Sequence, residues 1–259
     1  MLFVLDLDGC IYRESQVVKG AVETLAYLQD KGHKVTYATN NALLSREQYK
    51  KKLRGMGFNV KLEEIMCAAY AAGEFLRKKK AKKVFVIGSK GLRDEIRKTG
   101  TLIIGENHSV KGIDFVVVGL DRQFSFKKLL AAQQFILGGA NLLATNKDAT
   151  YPGANNTVFP GCGSIVASVE AASGKEALVV GKPGTYMLEK LLENTGYGTK
   201  ETLVVGDRYE TDILFGRNAG VKTALVLTGI TTRKDLKKIP TKFHPDYVLQ
   251  SVAALTRFA

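Results

Sequence analysis

The sequence predicts an α/β fold built on a parallel sheet, and three features of the chain support this prediction. Short apolar runs typical of strands alternate with segments of helical periodicity. The alternation breaks at the basic run 77–83 and then restarts, which indicates a second α/β unit that interrupts the first. Polar side chains follow several predicted strands, as they do at the edge where open α/β sheets bind ligands.

The first block of the chain has β-α-β-α-β order. Its predicted strands are the apolar run that starts at Phe3 and ends in Asp6 and Asp8, then Lys34–Ala38 and Ile65–Cys67. Its predicted helices are one through Val22, Leu25 and Leu28 that stops at Gly32, one from Ser45 through Met56, and Ala68–Lys80. Ser45 and Gln48 have the spacing of a capping box at a helix start. Strands joined by helices in this order predict a parallel sheet with right-handed crossovers.

The two later blocks continue the alternation of strands and helices. The middle block has predicted strands at Val84–Ile87, Leu102–Ile104, Phe115–Val118 and Leu142–Ala144, helices from near Ser89 and Ser125, and an Ala-rich helix ending near Gly174. The last block has predicted strands at Ala177–Val180, Leu203–Val205, Thr223–Leu227 and Tyr247–Leu249, and helices through Met187 and Ile213. We expect the last block to return to the sheet of the first.

Composition restricts the class of protein. The chain has 259 residues, 45% of them hydrophobic, which suffices for a large core and excludes wholesale disorder. No apolar stretch approaches the roughly 20 residues that span a bilayer, and no signal peptide is recognisable. The cysteines, Cys10, Cys67 and Cys162, are odd in number and far apart, which disfavours a disulfide framework and a zinc site. We therefore expect a cytoplasmic protein.

The formal net charge of +13 raises the possibility of a nucleic-acid partner. The densest basic run, 77–83, directly precedes a predicted strand, which is typical of a solvated connector. A connector is therefore the favoured interpretation, and nucleic acid is not expected as a partner. A basic surface would also attract small phosphorylated anions.

The opening strand ends in two carboxylates, Asp6 and Asp8, which lie one residue apart. Carboxylates this close repel, so both stay ionised only where a cation or several hydrogen-bond donors share the site. The pair therefore favours a metal site. Asp8-Gly9 is also typical of a hairpin turn, and on these residues alone both interpretations stay open.

Three other predicted strands also end in polar residues. Thr39 and Asn40 follow the second strand, Lys182 follows Ala177–Val180, and Asp207, with Asp212 five residues later, follows Leu203–Val205. Each of these has an ordinary explanation alone, as a turn, a solvated lysine or a helix cap. If the strands are parallel in one sheet, all of these side chains converge at its C-terminal edge.

A site with several carboxylates, one lysine and one hydroxyl suits phosphoryl transfer. Cationic groups and donors stabilise the phosphoryl oxygens, and a metal offsets the carboxylates. An aspartate is then able to attack phosphorus and form an acyl phosphate. A second carboxyl is able to protonate the leaving alkoxide and afterwards to activate water.

Four stretches of the chain resemble motifs of the haloacid-dehalogenase-like (HAD) superfamily of phosphatases, in its NagD-like or p-nitrophenyl-phosphatase branch. They are Phe3–Gly9, Thr39–Asn41, Gly181–Pro183 and Gly206–Ile213. The resemblance implies a Rossmann-like parallel sheet core in three α/β/α layers with an inserted α/β cap domain. Residues 1–81 and 176–259 would form the catalytic core and residues 82–175 the cap, which in this family often forms a dimer interface.

The resemblance also implies a role for each site residue. Asp6 would be the nucleophile and Asp8 the general acid and base. Thr39 and Asn40 would hold the phosphoryl oxygens by hydroxyl and backbone N–H. Lys182 would neutralise the phosphate and orient Asp6.

By the same resemblance the cofactor is Mg²⁺. Asp6 and Asp207 would bind it through their side chains, Asp8 through its main-chain carbonyl, and Asp212 directly or through a water. Mg²⁺ keeps several waters and accepts a few carboxylates together with a substrate phosphate, which suits this set.

The expected function is a Mg-dependent phosphatase that hydrolyses a small phosphorylated metabolite through an aspartyl-phosphate, with p-nitrophenyl phosphate as an artificial substrate. A homodimer through the cap is a further expectation. The alternative is a phospho-accepting signalling module or a phosphate-binding protein without turnover, although a receiver domain needs less than half this chain.

Gly161-Cys162-Gly163 lacks the third glycine of a dinucleotide loop. Asn146 and Asp148 are explained equally by a turn or by substrate contact.

Overall fold

Two sheets of parallel strands form the framework of the protein in a computed structural model that describes residues 1–152 and 157–259. The strands are β1 Leu2–Leu5, β2 Tyr12–Arg13, β3 Gln16–Val17, β4 Lys34–Thr39, β5 Ile65–Cys67, β6 Lys83–Ile87, β7 Leu102–Ile104, β8 Phe115–Val118, β9 Asn141–Ala144, β10 Thr150–Pro152, β11 Val158–Pro160, β12 Leu178–Val179, β13 Thr202–Gly206, β14 Lys222–Val226 and β15 Tyr247–Leu249. The α-helices are α1 Ala21–Asp30, α2 Arg46–Gly55, α3 Ala68–Lys78, α4 Lys90–Arg97, α5 Phe126–Leu137, α6 Cys162–Ser173, α7 Tyr186–Thr195, α8 Leu214–Asn218 and α9 Arg233–Leu236. The predicted α/β class with parallel sheets is therefore confirmed.

The first sheet has six strands in the order β15-β14-β13-β1-β4-β5. β1 lies between β13 and β4 and runs parallel to both, with Leu5 opposite Val205 on one side and Tyr37 on the other. All four residues of β1 are completely buried, as expected for an aliphatic strand at the centre of a covered parallel sheet. The residues that follow β1 therefore emerge from the middle of the sheet.

The second sheet has five strands in the order β12-β9-β8-β6-β7, and all of its pairs are parallel. Its core is formed by buried aliphatic and aromatic residues of β6, β8, β9, α5 and α6. One prediction was wrong here, because the strand at Ala177–Val180 does not return to the first sheet. Its central residues form β12, where Leu178 lies opposite Leu143 of β9. A short apolar run does not specify which sheet it joins. This one joins the sheet whose strands directly precede it in the sequence.

Helix starts follow the capping chemistry in the sequence. Ser45 N donates to Gln48 Oε1 at 2.8 Å and Gln48 N donates to Ser45 Oγ at 3.3 Å, which confirms the capping box before α2. The hydroxyls of Ser89 and Ser125 accept hydrogen bonds from backbone N–H groups in the first turns of α4 and α5.

The chain forms two compact units, each from separate stretches of sequence. The first unit comprises residues 1–39, 49–66 and 182–259 and contains the six-stranded sheet. The second comprises residues 40–48 and 67–181 and contains the five-stranded sheet. The limits of the second unit differ from the limits 82 and 175 that were expected for a cap. The assignment of residues 82–175 as a cap domain remains a prediction.

Across the part of the chain that the structure describes, no helix is both long enough and apolar enough to cross a membrane.

Candidate active site

Three aspartates of the first unit bring their carboxylates together. Asp6 directly follows β1, Asp207 directly follows β13, and Asp212 lies in the π-helical turn Tyr209–Ile213. One carboxylate oxygen from each of the three lies within 4.8 Å of the others. β1 and β13 are neighbours in register, so their carboxyl ends open at the same point of the sheet edge. The predicted convergence of these three aspartates is thus present in the fold.

Lys182 carries a buried ammonium group among these carboxylates. Its Nζ donates to Asp6 Oδ1 at 2.5 Å, to Asp212 Oδ1 at 2.5 Å and to the carbonyl oxygen of Ala38 at 2.9 Å. Burial alone would lower the pKa of Lys182, but the charges of Asp212 and Asp6 and the hydrogen bonds to both raise that pKa above its ordinary value. The side chain is 3% exposed and stays positively charged.

Asp207 is held by the loop that follows β14. The backbone N–H of Ile230 donates to its Oδ2 at 2.7 Å, and the N–H of Thr231 donates to its main-chain oxygen at 3.0 Å. Burial, together with repulsion from Asp212, raises the pKa of Asp207 to about 7, although the Ile230 N–H and Lys182 oppose the rise. Without a cation, the surroundings of this carboxyl group therefore disfavour its ionised form.

Two glycines leave room for the carboxylate of Asp207. A Cβ atom at Gly229 would lie 1.8 Å from Asp207 Oδ2, and one at Gly9 would lie 2.4 Å from the same oxygen. Gly9 also has a φ of 81°, a left-handed conformation that side chains disfavour. Both positions therefore require glycine if Asp207 is to keep this orientation.

The orientation of Asp212 is fixed from both sides. Its Oδ1 accepts from Lys182, and its Oδ2 accepts from the backbone N–H of Arg208 at 3.1 Å. A Cβ atom at Gly206, the last residue of β13, would lie 2.3 Å from the Cβ of Asp212. The π-helical turn thus places this side chain closely over the end of the strand.

The cluster as a whole fits a divalent cation. Burial raises the pKa of Asp6 well above its ordinary value, and the charges of Asp212 and Asp207 add to the rise, while Lys182 opposes it. With all three carboxyl groups ionised, the cluster and its one ammonium group would carry two negative charges in a buried site, which only a bound cation offsets. Carboxylate oxygens are the ligands that Mg²⁺ and Ca²⁺ prefer. The donor set and the charge balance therefore both suit such an ion.

Asp8 lies beside this cluster in different surroundings. The residue reaches solvent, yet partial burial raises the pKa of its carboxyl above the ordinary value, against the attraction of Lys52 and hydrogen bonds from the backbone of Glu14 and Gly9. The Nζ of Lys52 lies over the ring of Tyr12, 3.9 Å from its centroid. A carboxyl with a raised pKa and access to solvent suits proton transfer.

Thr39 and Asn40 adjoin in the chain but belong to different units. Thr39 is the last residue of β4 and is buried in the first unit. Asn40 begins the second unit, where its main-chain oxygen accepts from Asn146 Nδ2 at 2.8 Å and its Nδ2 donates to Asp148 Oδ2 at 3.2 Å. The fold thus brings together Asp6, Lys182, Asp207 and Asp212, while the contacts of Asn40 involve the second unit.

Sequence reasoning missed the loop Thr228–Thr231. Besides holding Asp207, this loop bonds to two other parts of the site: Thr228 Oγ1 donates to the carbonyl oxygen of Gly9 at 2.7 Å, and Tyr209 N donates to Thr231 Oγ1 at 2.9 Å. The signal was available, since the loop directly follows a predicted strand of the first sheet. Thr228-Gly229 has the composition of an ordinary turn, so this loop was not recognised as part of the site.

Family models match both ends of the chain. Residues 3–101 match the family described as haloacid dehalogenase-like hydrolase, and residues 179–255 match the one described as HAD-hydrolase-like. The two matched segments contain every residue predicted to belong to the site.

Individual relatives match nearly the whole chain. Phosphoglycolate phosphatase 2 of Arabidopsis thaliana is 35% identical over 276 residues, which cover 98% of this chain and 92% of that protein. The structure of p-nitrophenyl phosphatase from Archaeoglobus fulgidus superimposes with a TM-score of 0.91 at 32% identity and covers 100% of this chain and 98% of that one. The structure of NagD from Escherichia coli K-12 superimposes with a TM-score of 0.86 at 32% identity, covering 97% and 96%.

Proposed function

The chain belongs to the haloacid dehalogenase-like hydrolase family, as a phosphatase of its NagD-like and p-nitrophenyl-phosphatase branch, and on that premise we propose that it hydrolyses a small phosphomonoester through an aspartyl-phosphate on Asp6. The observation that carries this proposal is the position of Lys182. Its ammonium group contacts the carboxylates of both Asp6 and Asp212, which supports the proposed roles of Asp6 as nucleophile and of Lys182 as the cation for the phosphate.

In the first step, a carboxylate oxygen of Asp6 attacks phosphorus and the bond from phosphorus to the ester oxygen breaks. The carboxyl of Asp8 gives its proton to the departing alkoxide. The raised pKa and the solvent access of Asp8 support this role, because a general acid must hold its proton near the working pH and exchange it with water. The products of this step are the free alcohol and a phosphoryl group on Asp6.

In the second step, the Asp8 carboxylate removes a proton from water as the water oxygen attacks the same phosphorus. The bond between phosphorus and Asp6 breaks, inorganic phosphate leaves, and both carboxyl groups return to their starting states. Lys182 stabilises the charge on the phosphoryl oxygens in both steps. Thr39, through its hydroxyl, and Asn40, through its backbone N–H, bind the same group of oxygens.

We assign Mg²⁺ as the cofactor, held by Asp6, Asp207, Asp212 and the main-chain oxygen of Asp8. When bound, the ion offsets the negative charge of the carboxylates and the substrate phosphate. The donor set of three converging carboxylates supports this assignment. The hydrogen bonds from Ile230 to Asp207 and from Arg208 to Asp212 keep two of these carboxylates oriented.

The substrate class is a small phosphorylated metabolite. This rests on the named activities of the relatives, which include a phosphoglycolate phosphatase and a p-nitrophenyl phosphatase.

We further propose that residues 82–175 act as a cap domain and mediate a homodimer, for which the exposed apolar side chains of Phe126, Leu130 and Leu137 on α5 are the supporting feature. A cytoplasmic location accords with three buried cysteines that are not bonded to one another.

The proposal is tested by replacing the nucleophile. We expect Asp6→Asn to lower Mg²⁺-dependent release of p-nitrophenol from p-nitrophenyl phosphate by more than about 10³-fold, since an amide cannot form the acyl phosphate. The matched control is Asp30→Asn, an exposed position at the end of α1, which should retain wild-type kcat/KM. Retention of substantial turnover by Asp6→Asn would refute Asp6 as the nucleophile.

A trapping experiment separates the covalent route from phosphate binding without turnover. Acid quenching of the wild-type enzyme during turnover of a ³²P-labelled ester should leave label on the protein, and hydroxylamine should release it, because acyl phosphates react with amines. Asp6→Asn should carry no such label. Turnover by the wild type without any trapped label would count against the aspartyl-phosphate.

A further inference from the structure

The loop that follows β9 binds Asn40 at two points. This loop, Thr145–Ala149, is called here the Asn146 loop. Asn146 Nδ2 donates to the carbonyl oxygen of Asn40 at 2.8 Å, and Asn40 Nδ2 donates to Asp148 Oδ2 at 3.2 Å. Asp148 N in turn donates to Asn146 Oδ1 at 3.1 Å, which orients the Asn146 amide so that its NH₂ group faces Asn40. All of these residues belong to the second unit.

The Asn146 loop is itself held rigidly by the start of α6. Gly161 N donates to the carbonyl oxygen of Ala149 at 2.7 Å, and Gly163 N donates to that of Asp148 at 2.8 Å. A Cβ atom at Gly161 would lie 2.2 Å from the oxygen of Asp148, and one at Gly163 would lie 2.4 Å from that of Lys147. These two glycines, which do not form a dinucleotide loop, therefore allow the Asn146 loop to pack directly on the helix start.

The same loop also contacts the residue before Lys182. A Cβ atom at Gly181 would lie 2.2 Å from the carbonyl oxygen of Thr145 and 2.6 Å from Asn40 Oδ1. In the chain, Asn40 directly follows Thr39, and Gly181 directly precedes Lys182. The Asn146 loop therefore packs against two backbone positions that are covalently joined to proposed phosphate-binding residues.

We propose that Asn146 and Asp148 are positioning residues of the phosphatase, which fix the backbone of Asn40 so that its N–H is directed at the substrate phosphate. This inference rests on the proposed function. Asn146 and Asn40 are 5% and 8% exposed, so their hydrogen bond is shielded from water and replacement of Asn146 by an apolar residue leaves the Asn40 carbonyl without this donor. Asp148 contacts the Asn40 side chain and acts through it.

The experiment compares Asn146→Ala and Asp148→Ala with the wild type. For each, kcat and KM for p-nitrophenyl phosphate, the inhibition constant of inorganic phosphate and the melting temperature are measured. Loss of one positioning hydrogen bond should lower kcat/KM by about tenfold and weaken phosphate inhibition by a similar factor. Asp148→Asn keeps an oxygen that accepts from Asn40, and it should remain within about threefold of the wild type.

The matched control is Asn141→Ala at the opposite end of β9. This variant also removes an asparagine Nδ2 donor, which bonds to the carbonyl oxygen of Asp114 in the second unit. It should lower the melting temperature no less than Asp148→Ala does, yet leave phosphate inhibition unchanged. If weaker phosphate inhibition came only from a general loss of stability, Asn141→Ala would weaken it as much as Asp148→Ala does.

A double-mutant cycle tests whether Asp148 acts through Asn40. We expect Asn40→Ala to lower kcat/KM and the addition of Asp148→Ala to cause little further loss, because the contact is already gone. Strictly additive losses would overturn the inference. Because Asp148 is only partly buried, its variants carry the test even where Asn146→Ala fails to fold.

Failure of this inference differs from failure of the proposed function. If the wild type turns over p-nitrophenyl phosphate but Asp148→Ala and Asn146→Ala keep wild-type kcat/KM and phosphate inhibition, the positioning role is refuted and the phosphatase stands. If the wild type and every variant lack turnover while the fold is intact, the proposed function is refuted, and this inference with it.

Discussion

At the scale of single residues, Lys182 determines the charge state of the site. A buried ammonium group is costly unless it is paired, and here Asp6 and Asp212 pair with it while Ala38 accepts a third hydrogen bond. The dependence is mutual, because the same ammonium group offsets part of the repulsion among the carboxylates. Removal of this one side chain therefore affects both the fold and the chemistry.

We predict that Lys182→Met lowers kcat/KM by more than about 10²-fold and destabilises the fold by about 3 kcal/mol, the usual consequence of removing one partner of a buried ion pair. Steady-state kinetics and urea unfolding measure the two effects. Lys238→Met removes an exposed lysine paired with Asp235 and should change stability by less than about 1 kcal/mol. Wild-type kinetics in Lys182→Met would contradict the role of its ammonium group.

At the scale of elements, the loop Thr228–Thr231 shapes the proposed metal site without contributing a carboxylate. It carries the N–H groups that bind Asp207 and the glycine that makes room for it. A side chain at position 229 would collide with the carboxylate, since no rearrangement of an alanine methyl relieves a contact of 1.8 Å. The loop therefore controls where Asp207 points.

We predict that Gly229→Ala raises the Mg²⁺ concentration needed for half-maximal activity by at least about tenfold, because Asp207 must move. A Mg²⁺ titration of p-nitrophenyl phosphatase activity measures the shift. Gly105→Ala is the matched control, since a Cβ there meets no atom within 4 Å. An unchanged Mg²⁺ requirement in Gly229→Ala would argue against Asp207 as a ligand.

The elements also mark the limit of what the sequence alone predicted. Strands with several aliphatic residues, such as β1, were predicted nearly to their ends, because local periodicity and burial agree there. The prediction for β12 identified its residues but assigned it to the wrong sheet, because partner choice depends on long-range packing. Lys182 nevertheless reaches Asp6, so the expected contact is present although the strand before it belongs to the other sheet.

At the scale of the whole molecule, charge is distributed unevenly. The chain carries a formal net charge of +13, yet the cluster of Asp6, Asp207, Asp212 and Lys182 gathers three carboxyl groups around one ammonium group. A net positive charge favours the long-range attraction of phosphorylated anions, whereas the carboxylates of the proposed site would repel such an anion until a cation is bound. Under the proposed function, the two features together would favour binding of a substrate phosphate to the metal-loaded protein.

We predict that Mg²⁺ raises the melting temperature and that this effect grows as pH rises from 5 to 8. In the metal-free protein the pKa of Asp207 is raised to about 7, so its contribution to stability is present below about pH 4 and is lost as pH rises through 7. The loss is at most about 1.4 kcal/mol per pH unit. Calorimetry in EDTA and in Mg²⁺, at several pH values between 5 and 8, measures the melting temperatures.

The control for this pH dependence is Asp207→Asn, which has no proton to lose. Its melting temperature in EDTA should fall less than that of the wild type between pH 4 and 7, and Mg²⁺ should stabilise it less. Equal pH dependence in the two proteins would show that Asp207 does not titrate in this range.

The central position of β1 has a consequence for folding during synthesis on the ribosome. The neighbour β4 is translated soon after β1, but the other neighbour, β13, leaves the ribosome only after the entire second sheet. Asp6 and Lys182 are 176 residues apart in the chain. Until that distance has been translated, a completely apolar strand keeps one edge unpaired, which exposes the nascent chain to misassociation. The contact between Asp6 and Lys182 and the pairing of β1 with β13 therefore both wait for the segment that follows the second sheet.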